Sequence, residues 1–146
     1  MSYVIQLTHI IINTKERKMV LDQDRKTDLF KYIWGIVKNH NCRLYRINGI
    51  GNHIHLLVGI HQSVCLMELV RELKRSSSIW IKESGSSPDF YGWSREYAAF
   101  SVSWDAKDKV IEYIRNQEDH HAQVSFEDEF KAMLKEHDIS EYVPGE

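Results

Sequence analysis

A chain of 146 residues with 42% hydrophobic and 27% charged side chains has the size and composition of one globular domain, so residues 1–146 are read as a single unit. No apolar run approaches the roughly 20 residues that a membrane-crossing helix needs. The opening MSYVIQLTHIII also lacks the basic region and small-residue cleavage site of a secretory leader. Cys42 and Cys65 sit in separate segments without metal-site spacing, so free thiols in a reducing cytoplasm are expected.

In chain order, residues 3–12 are rich in β-branched and aromatic side chains and predict a strand. The polar, basic stretch NTKERK follows as a turn. From Asp22 to about His40, Leu29, Ile33, Ile36 and Val37 recur at helical spacing and predict an amphipathic helix. Residues 42–50 and 52–60 predict two strands joined tightly around Asn48-Gly49 and Gly51. In the second, Ile54, Leu56, Val58 and Ile60 point one way, and His53, His55, Leu57 and Gly59 the other.

A second helix is predicted from about Val64 to Lys82, with Leu66, Leu69, Val70 and Leu73 as its buried stripe. ESGSSPD is a loop, and YAAFSVS, residues 97–103, predicts a fourth strand. A third helix is expected after Trp104, capped by Asp105 and running to about His121, and a short acidic helix over Phe126–His137, with frayed last residues. The order β-α-β-β-α-β followed by helices predicts an α+β, ferredoxin-like (RRM-like) antiparallel sheet with additional C-terminal helices. Two helices cover one face of such a sheet. The other face is free for a site.

Charge is distributed unevenly. The net charge is −2, yet residues 1–82 carry thirteen basic and six acidic side chains, and residues 83–146 six and fifteen. That asymmetry suits a basic surface for a polyanion beside an acidic C-terminal region, and equally an acidic half that only aids solubility. On the second helix Arg71, Lys74, Arg75, Ser78 and Lys82 fall beside or opposite the leucine stripe. They are candidates for phosphate contacts, or an ordinary solvated face. Tyr91, Trp93 and Tyr97 could stack on unpaired bases or belong to the core.

His53 and His55 lie two apart on one strand, so both imidazoles leave the same face. Nothing in the packing demands them there, and two imidazoles on one pleat form half a metal site. The same spacing also suits two unrelated surface histidines. Tyr113 and Gln117, four apart, share a face of the third helix. Taken alone they read as a boundary aromatic and a solvent-facing amide.

Together these segments resemble the single-tyrosine HUH transposases of small bacterial insertion sequences (transposase IS200-like). The residues that carry the resemblance are His53-Ile54-His55 within GNHIHLLV, the opening strand with Asn13–Arg17, LVRELKRSSSIWIK, WSREYAAFSVS, and YIRNQEDHH at 113–121. The resemblance covers nearly the whole chain and implies a metal-dependent transposase of single-stranded DNA. It makes Tyr113 the nucleophile that forms a 5′-phosphotyrosine and frees a 3′-hydroxyl, and makes His53, His55 and Gln117 ligands of Mg²⁺ or Mn²⁺. It further implies DNA with hairpin ends as substrate and a homodimer whose active sites are shared between subunits. Lys15, Arg17, Arg71, Lys74, Arg75 and Lys82 are then the DNA-binding candidates. No general base is identified, His120 and His121 being the nearest candidates. Asn52 stands before the first histidine where Asp is also frequent in the family. The alternative is a ferredoxin-like nucleic-acid-binding module, relic or domesticated, without chemistry.

Overall fold

The computed structural model describes residues 2–137. The expected fraying of the last residues lies outside them. Strands β1 (Leu7–Thr14), β2 (Arg43–Ile50), β3 (His53–Gly59) and β4 (Trp93–Val102) form an antiparallel sheet in the order β2-β3-β1-β4. Helix α1 (Lys26–Asn39) follows β1, and α2 (Leu66–Ser84) follows β3. Helices α3 (Lys107–Arg115), α4 (Gln117–His121) and α5 (Phe126–Glu136) come after β4. This is the ferredoxin-like arrangement with added C-terminal helices.

The main core lies between the sheet and α1 and α2. Ile10, Ile12, Ile54, Leu56 and Val58 from alternate strand positions meet Leu29, Ile33, Val37, Leu69, Val70 and Leu73 from the helical stripes. The opposite positions of β1, β3 and β4 present His9, Ile11, His53, His55, Leu57 and Phe100, which α3 and α5 cover. Both faces of the central strands are thus buried, and β3 is shielded along nearly its whole length.

Several boundaries differ from the sequence reading for visible reasons. β1 starts at Leu7 because its partners end there, Leu7 facing Gly59 on one side and Val102 on the other. Tyr3, Val4 and Ile5 remain exposed. In the hairpin Ile50 pairs with His53, leaving Gly51-Asn52 as the loop, and Asn48 and Gly49 lie within β2. Gly49 is required where it stands, since a Cβ there would collide with the His53 carbonyl oxygen. β4 begins at Trp93, which pairs with Thr14 past a bulge.

Helix α2 runs to Ser84 and stops at Gly85, whose φ of 66° is the left-handed conformation that ends many helices. At the start of the C-terminal helices Ser103, not Asp105, supplies the cap by accepting from the Ala106 N–H. The helix expected to run unbroken to His121 is interrupted at Asn116, where φ −93° and ψ 19° leave the helical region. The Asn48 amide donates to the Arg115 carbonyl at 3.0 Å and takes the acceptor that the helix would use to continue. The break turns α4 and allows Gln117 to point inward.

Candidate functional site

Polar side chains from several elements gather on the sheet face opposite α1 and α2. β3 supplies His53 and His55 at the middle of the sheet, and both are completely buried. α3 and α4 pass over β2 and bring Tyr113, Gln117 and His121 down onto the histidines. Gln117 Oε1 lies 3.1 Å from His53 Nε2 and 3.0 Å from His121 Nε2. The Tyr113 ring stands 5.8 Å from that of His55, nearly perpendicular to it. The sequence-predicted trio of histidine pair, amide and tyrosine therefore meets within one chain.

The sequence reading passed over a further member. Glu129 of α5 is 3% exposed and inserts its carboxylate between the histidines and the tyrosine. Its Oε1 lies 3.0 Å from His55 Nε2 and 3.4 Å from His53 Nε2. Its Oε2 accepts from the Tyr113 hydroxyl and, at 3.2 Å, from the Gln117 amide. His121 Nε2 is 3.1 Å from the same oxygen. A signal was available: Phe126, Phe130, Met133 and Leu134 make the apolar stripe of α5, and Glu129 falls on that stripe rather than opposite it. Phe126 also stacks on the His53 ring at 4.0 Å between centroids, so α5 roofs the site.

The outer nitrogens of the histidines are fixed by specific partners. His53 Nδ1–H donates to Asn52 Oδ1 at 2.8 Å, an oxygen oriented by the donation of Asn52 Nδ2 to the Arg17 carbonyl. His121 Nδ1–H donates to the Val124 carbonyl at 2.7 Å. A carbonyl can only accept, so each neutral ring so held turns a bare Nε2 lone pair toward Gln117 Oε1 and the Glu129 oxygens. Lone pairs facing one another repel, and a cation among them removes the repulsion. His55 Nδ1 shares a 2.7 Å hydrogen bond with His9 Nε2, a second residue that sequence reasoning missed. Such outer partners are how metal-ligating histidines are usually oriented. Among the described residues, the buried His120 Nε2 finds no hydrogen-bond partner, although it lies 3.0 Å from Glu129 Oε2.

The donors fit a divalent metal. The ligand atoms of His53, His55, His121 and Glu129 all lie within 4.8 Å of one another, and Gln117 Oε1 adjoins two of them. Three imidazoles with a carboxylate and an amide oxygen form a donor set of borderline softness. It suits Mn²⁺ or Zn²⁺ better than Mg²⁺, which prefers oxygen.

Burial dominates the titration of His55 and His9. It brings His55 down to about 4, against the pull of the Glu129 carboxylate, and His9 to about 3. Burial pushes the Tyr113 phenol well above its usual value, and its bond to Glu129 and that carboxylate's charge add to the rise. Burial opposes the charge on Glu129. Hydrogen bonds from His55 and Tyr113 outweigh it and hold the carboxyl below the usual range.

The basic candidates lie elsewhere. Arg71, Lys74, Arg75 and Lys82 belong to α2, across the sheet from the histidines. Lys74 Nζ donates to the carbonyls of Ser94 and Arg95 at 2.8 and 3.0 Å, and burial lowers its pKa. Arg75 pairs with Glu72 at 2.9 Å, while Arg71 and Lys82 are exposed. With Trp93 and Tyr97, the residues Arg71, Lys74 and Arg75 line an open groove along the β4 edge. Trp93 is core and donates to Ser77 Oγ; Tyr97 is half-buried, and Tyr91 is exposed. Lys15 is exposed. Arg17 reaches across to α5, where it pairs with Glu127 at 3.1 Å and lies over the Phe126 and Phe130 rings. No helix among the described residues is long and apolar enough to cross a membrane.

The sequence model of a family described as "Transposase IS200 like" matches residues 3–117. A search of curated proteins finds no match. Among solved structures, a putative transposase from Deinococcus radiodurans R1 is similar at 24% identity and a TM-score of 0.63, over 80% of this chain and 95% of that one. A REP-associated tyrosine transposase bound to a REP hairpin is similar at 12% identity and a TM-score of 0.61, over 85% of this chain and 73% of that one. At these identities the two structures speak for the fold. Helix α5, with Glu129, lies beyond the matched residues.

Proposed function

Because the chain belongs to the IS200-like transposase family, we propose that it is a metal-dependent transposase of single-stranded DNA with Tyr113 as its nucleophile. The observation that carries this reading is the convergence of Tyr113 and Gln117 on His53 and His55 from a separate part of the chain. As an ordinary boundary tyrosine and solvent-facing amide they would have no reason to meet two buried imidazoles.

His53, His55 and Gln117, joined by His121, are the metal ligands in this reading, and Mn²⁺ suits them better than Mg²⁺. Bound there, the ion supplies Lewis-acid polarisation of the phosphate oxygens. Tyr113 Oη attacks the phosphorus, the Oη–P bond forms, and the P–O3′ bond breaks. The phenol proton ends, by way of the site's polar groups, on the departing 3′ oxygen. The products are a 5′-phosphotyrosine and a 3′-hydroxyl. Attack by another strand's 3′-hydroxyl reverses the exchange and restores Tyr113. One phosphate ester replaces another at each step, so no outside energy source is needed. Asn52, His9 and the Val124 carbonyl keep the imidazoles in register.

The substrate in this reading is DNA with hairpin ends, a proposal supported by the hairpin bound to one structural neighbour. A homodimer acting in the cytoplasm remains part of the reading. Since Tyr113 reaches the histidines of its own chain here, sharing of sites between subunits is not needed to complete one.

The test is a covalent adduct. Single-stranded DNA from the flanks of the gene is incubated with Mn²⁺ and either the parent protein or Tyr113→Phe. A denaturant-resistant protein–DNA species is expected with the parent alone, and chelator abolishes it. Equal binding by both proteins with no adduct would replace the enzyme by a nucleic-acid-binding module.

A further inference from the structure

We propose that Glu129 is a displaceable ligand of the resting metal centre, occupying the place of the scissile phosphate until DNA drives α5 away. This deepens the reading above and rests on it for the identity of the incoming group.

Three observations carry the inference. First, the carboxylate sits where a phosphodiester must sit to react. One oxygen adjoins the Nε2 atoms of His53 and His55, and the other accepts from the Tyr113 hydroxyl. A phosphodiester held between the His53 and His55 Nε2 atoms and Tyr113 would occupy the same two positions, one oxygen on the histidine side and the phosphorus beside Oη. The exchange conserves charge, one monoanion for another. Second, the phosphate has no room while α5 is seated. His53, His55 and Gln117 are fully buried, and Phe126 lies flat on His53. The depression lined by Tyr113 and His120 does not reach His53 or His55.

Third, α5 rests on a small base. Phe126 packs with Ile11, Ala98 and Phe100, while Phe130, Met133 and Leu134 are only partly buried. The outer tie is the exposed Arg17–Glu127 pair, a class of contact that contributes little. Release of α5 would also free Arg17 from Glu127 and two aromatic rings, returning a cation to the rim as the polyanion arrives. An intramolecular ligand competes at high effective concentration, so its removal strengthens binding of the competitor.

The experiment has two arms. The first contains no DNA and therefore stands apart from transposition. Mn²⁺ is titrated into the full chain and Glu129→Gln, with free Mn²⁺ read by its paramagnetic resonance. Loss of a ligand should weaken binding by at least about tenfold, and unchanged affinity overturns the assignment. In the second arm, at saturating Mn²⁺, hydrogen exchange of residues 126–136 is followed in the parent as single-stranded DNA is added, and adduct rates are compared. Exchange in α5 should accelerate on DNA binding, and Glu129→Gln should form adduct several-fold faster than the parent. A slower variant, or α5 amides that stay protected with DNA bound, would make Glu129 a permanent ligand and overturn displacement. Phe130→Ala, which touches no ligand and loosens only the seat of α5, should also speed the adduct if Glu129→Gln proves unstable.

Discussion

The two faces of the sheet are buried by different means. Toward α1 and α2, β3 presents Ile54, Leu56 and Val58 to a continuous apolar core. Toward α4 and α5 the same strand presents His53 and His55 to Gln117, His121 and Glu129. Apolar contacts are non-directional, and cores tolerate substitution that preserves volume. Buried polar groups cost free energy unless each finds a partner. The first face therefore explains why the chain folds. The second is a poor way to gain stability and a good way to hold a cation.

The largest effects should separate the faces cleanly. On the proposed metal site, His53→Ala or His55→Ala takes away one ligand, and Mn²⁺ affinity should fall about 100-fold or more, with the adduct abolished. Metal-free melting should fall as well, because each lost imidazole leaves a cavity and takes a neighbour from the buried Glu129 carboxylate, so affinity is read on the folded fraction. Leu56→Ala should likewise cost about 2–5 kcal/mol of stability, while its folded fraction binds Mn²⁺ with unchanged affinity. Urea melts and Mn²⁺ titrations on the same samples measure both quantities. If Leu56→Ala loosens the metal as much as His53→Ala does, the two faces are mechanically one and the division between them fails.

The apolar face was the more legible in sequence. Alternation along β3 and the 3.6-residue stripes of α1 and α2 identify its residues directly, because burial by hydrophobicity leaves a periodic record. His53, His55, Tyr113 and Gln117 were legible as a set through family resemblance, since each alone has a bland explanation. Glu129, His9 and the place of His121 in the cluster were not seen. An acid in an acidic helix looks solvent-facing until the neighbouring apolar positions are projected onto the helix surface, where Glu129 falls among Phe126, Phe130 and Met133. His9 sits in a run of β-branched residues and declares itself only through its register beside β3. The break at Asn116 depends on an amide 67 residues away in sequence, and local propensity carries no trace of such a partner.

Acid should sharpen the comparison on a smaller scale. His55 and His9 are held down to about 4 and about 3 by burial, against an unfolded value near 6.5. Below that unfolded value the unfolded chain binds protons that the folded one refuses. Stability is thus fully present above pH of about 6.5 and declines as pH falls toward the folded values. Glu129 acts in the same direction at lower pH, its depressed carboxyl giving stability that disappears as pH falls through the folded value. The metal-free melting temperature should drop by roughly 5–10 °C between pH 7 and pH 5. His9→Phe, which keeps a ring against Phe100, should flatten the slope. A slope unchanged in that variant would place the titration elsewhere.

The smallest expected effects concern the basic residues of α2, where sequence reasoning treated four cations alike. Lys74 is committed to the fold, donating to the carbonyls at the start of β4 and lying over the Tyr97 ring. Arg75 only pairs with Glu72 at the surface. Lys74→Met removes the donor from the part-buried Ser94 carbonyl and the exposed Arg95 carbonyl and should cost about 0.5–1.5 kcal/mol, whereas Arg75→Ala should stay within about 0.5 kcal/mol. Binding should rank the other way. Arg71→Ala and Lys82→Ala remove exposed charge. If that face meets DNA, each should lower the salt dependence of single-strand binding by about 0.7 for every phosphate the side chain had neutralised. Salt titrations that leave both slopes unchanged would confine DNA to the histidine face, and the positive charge of α2 would then serve the fold rather than the substrate.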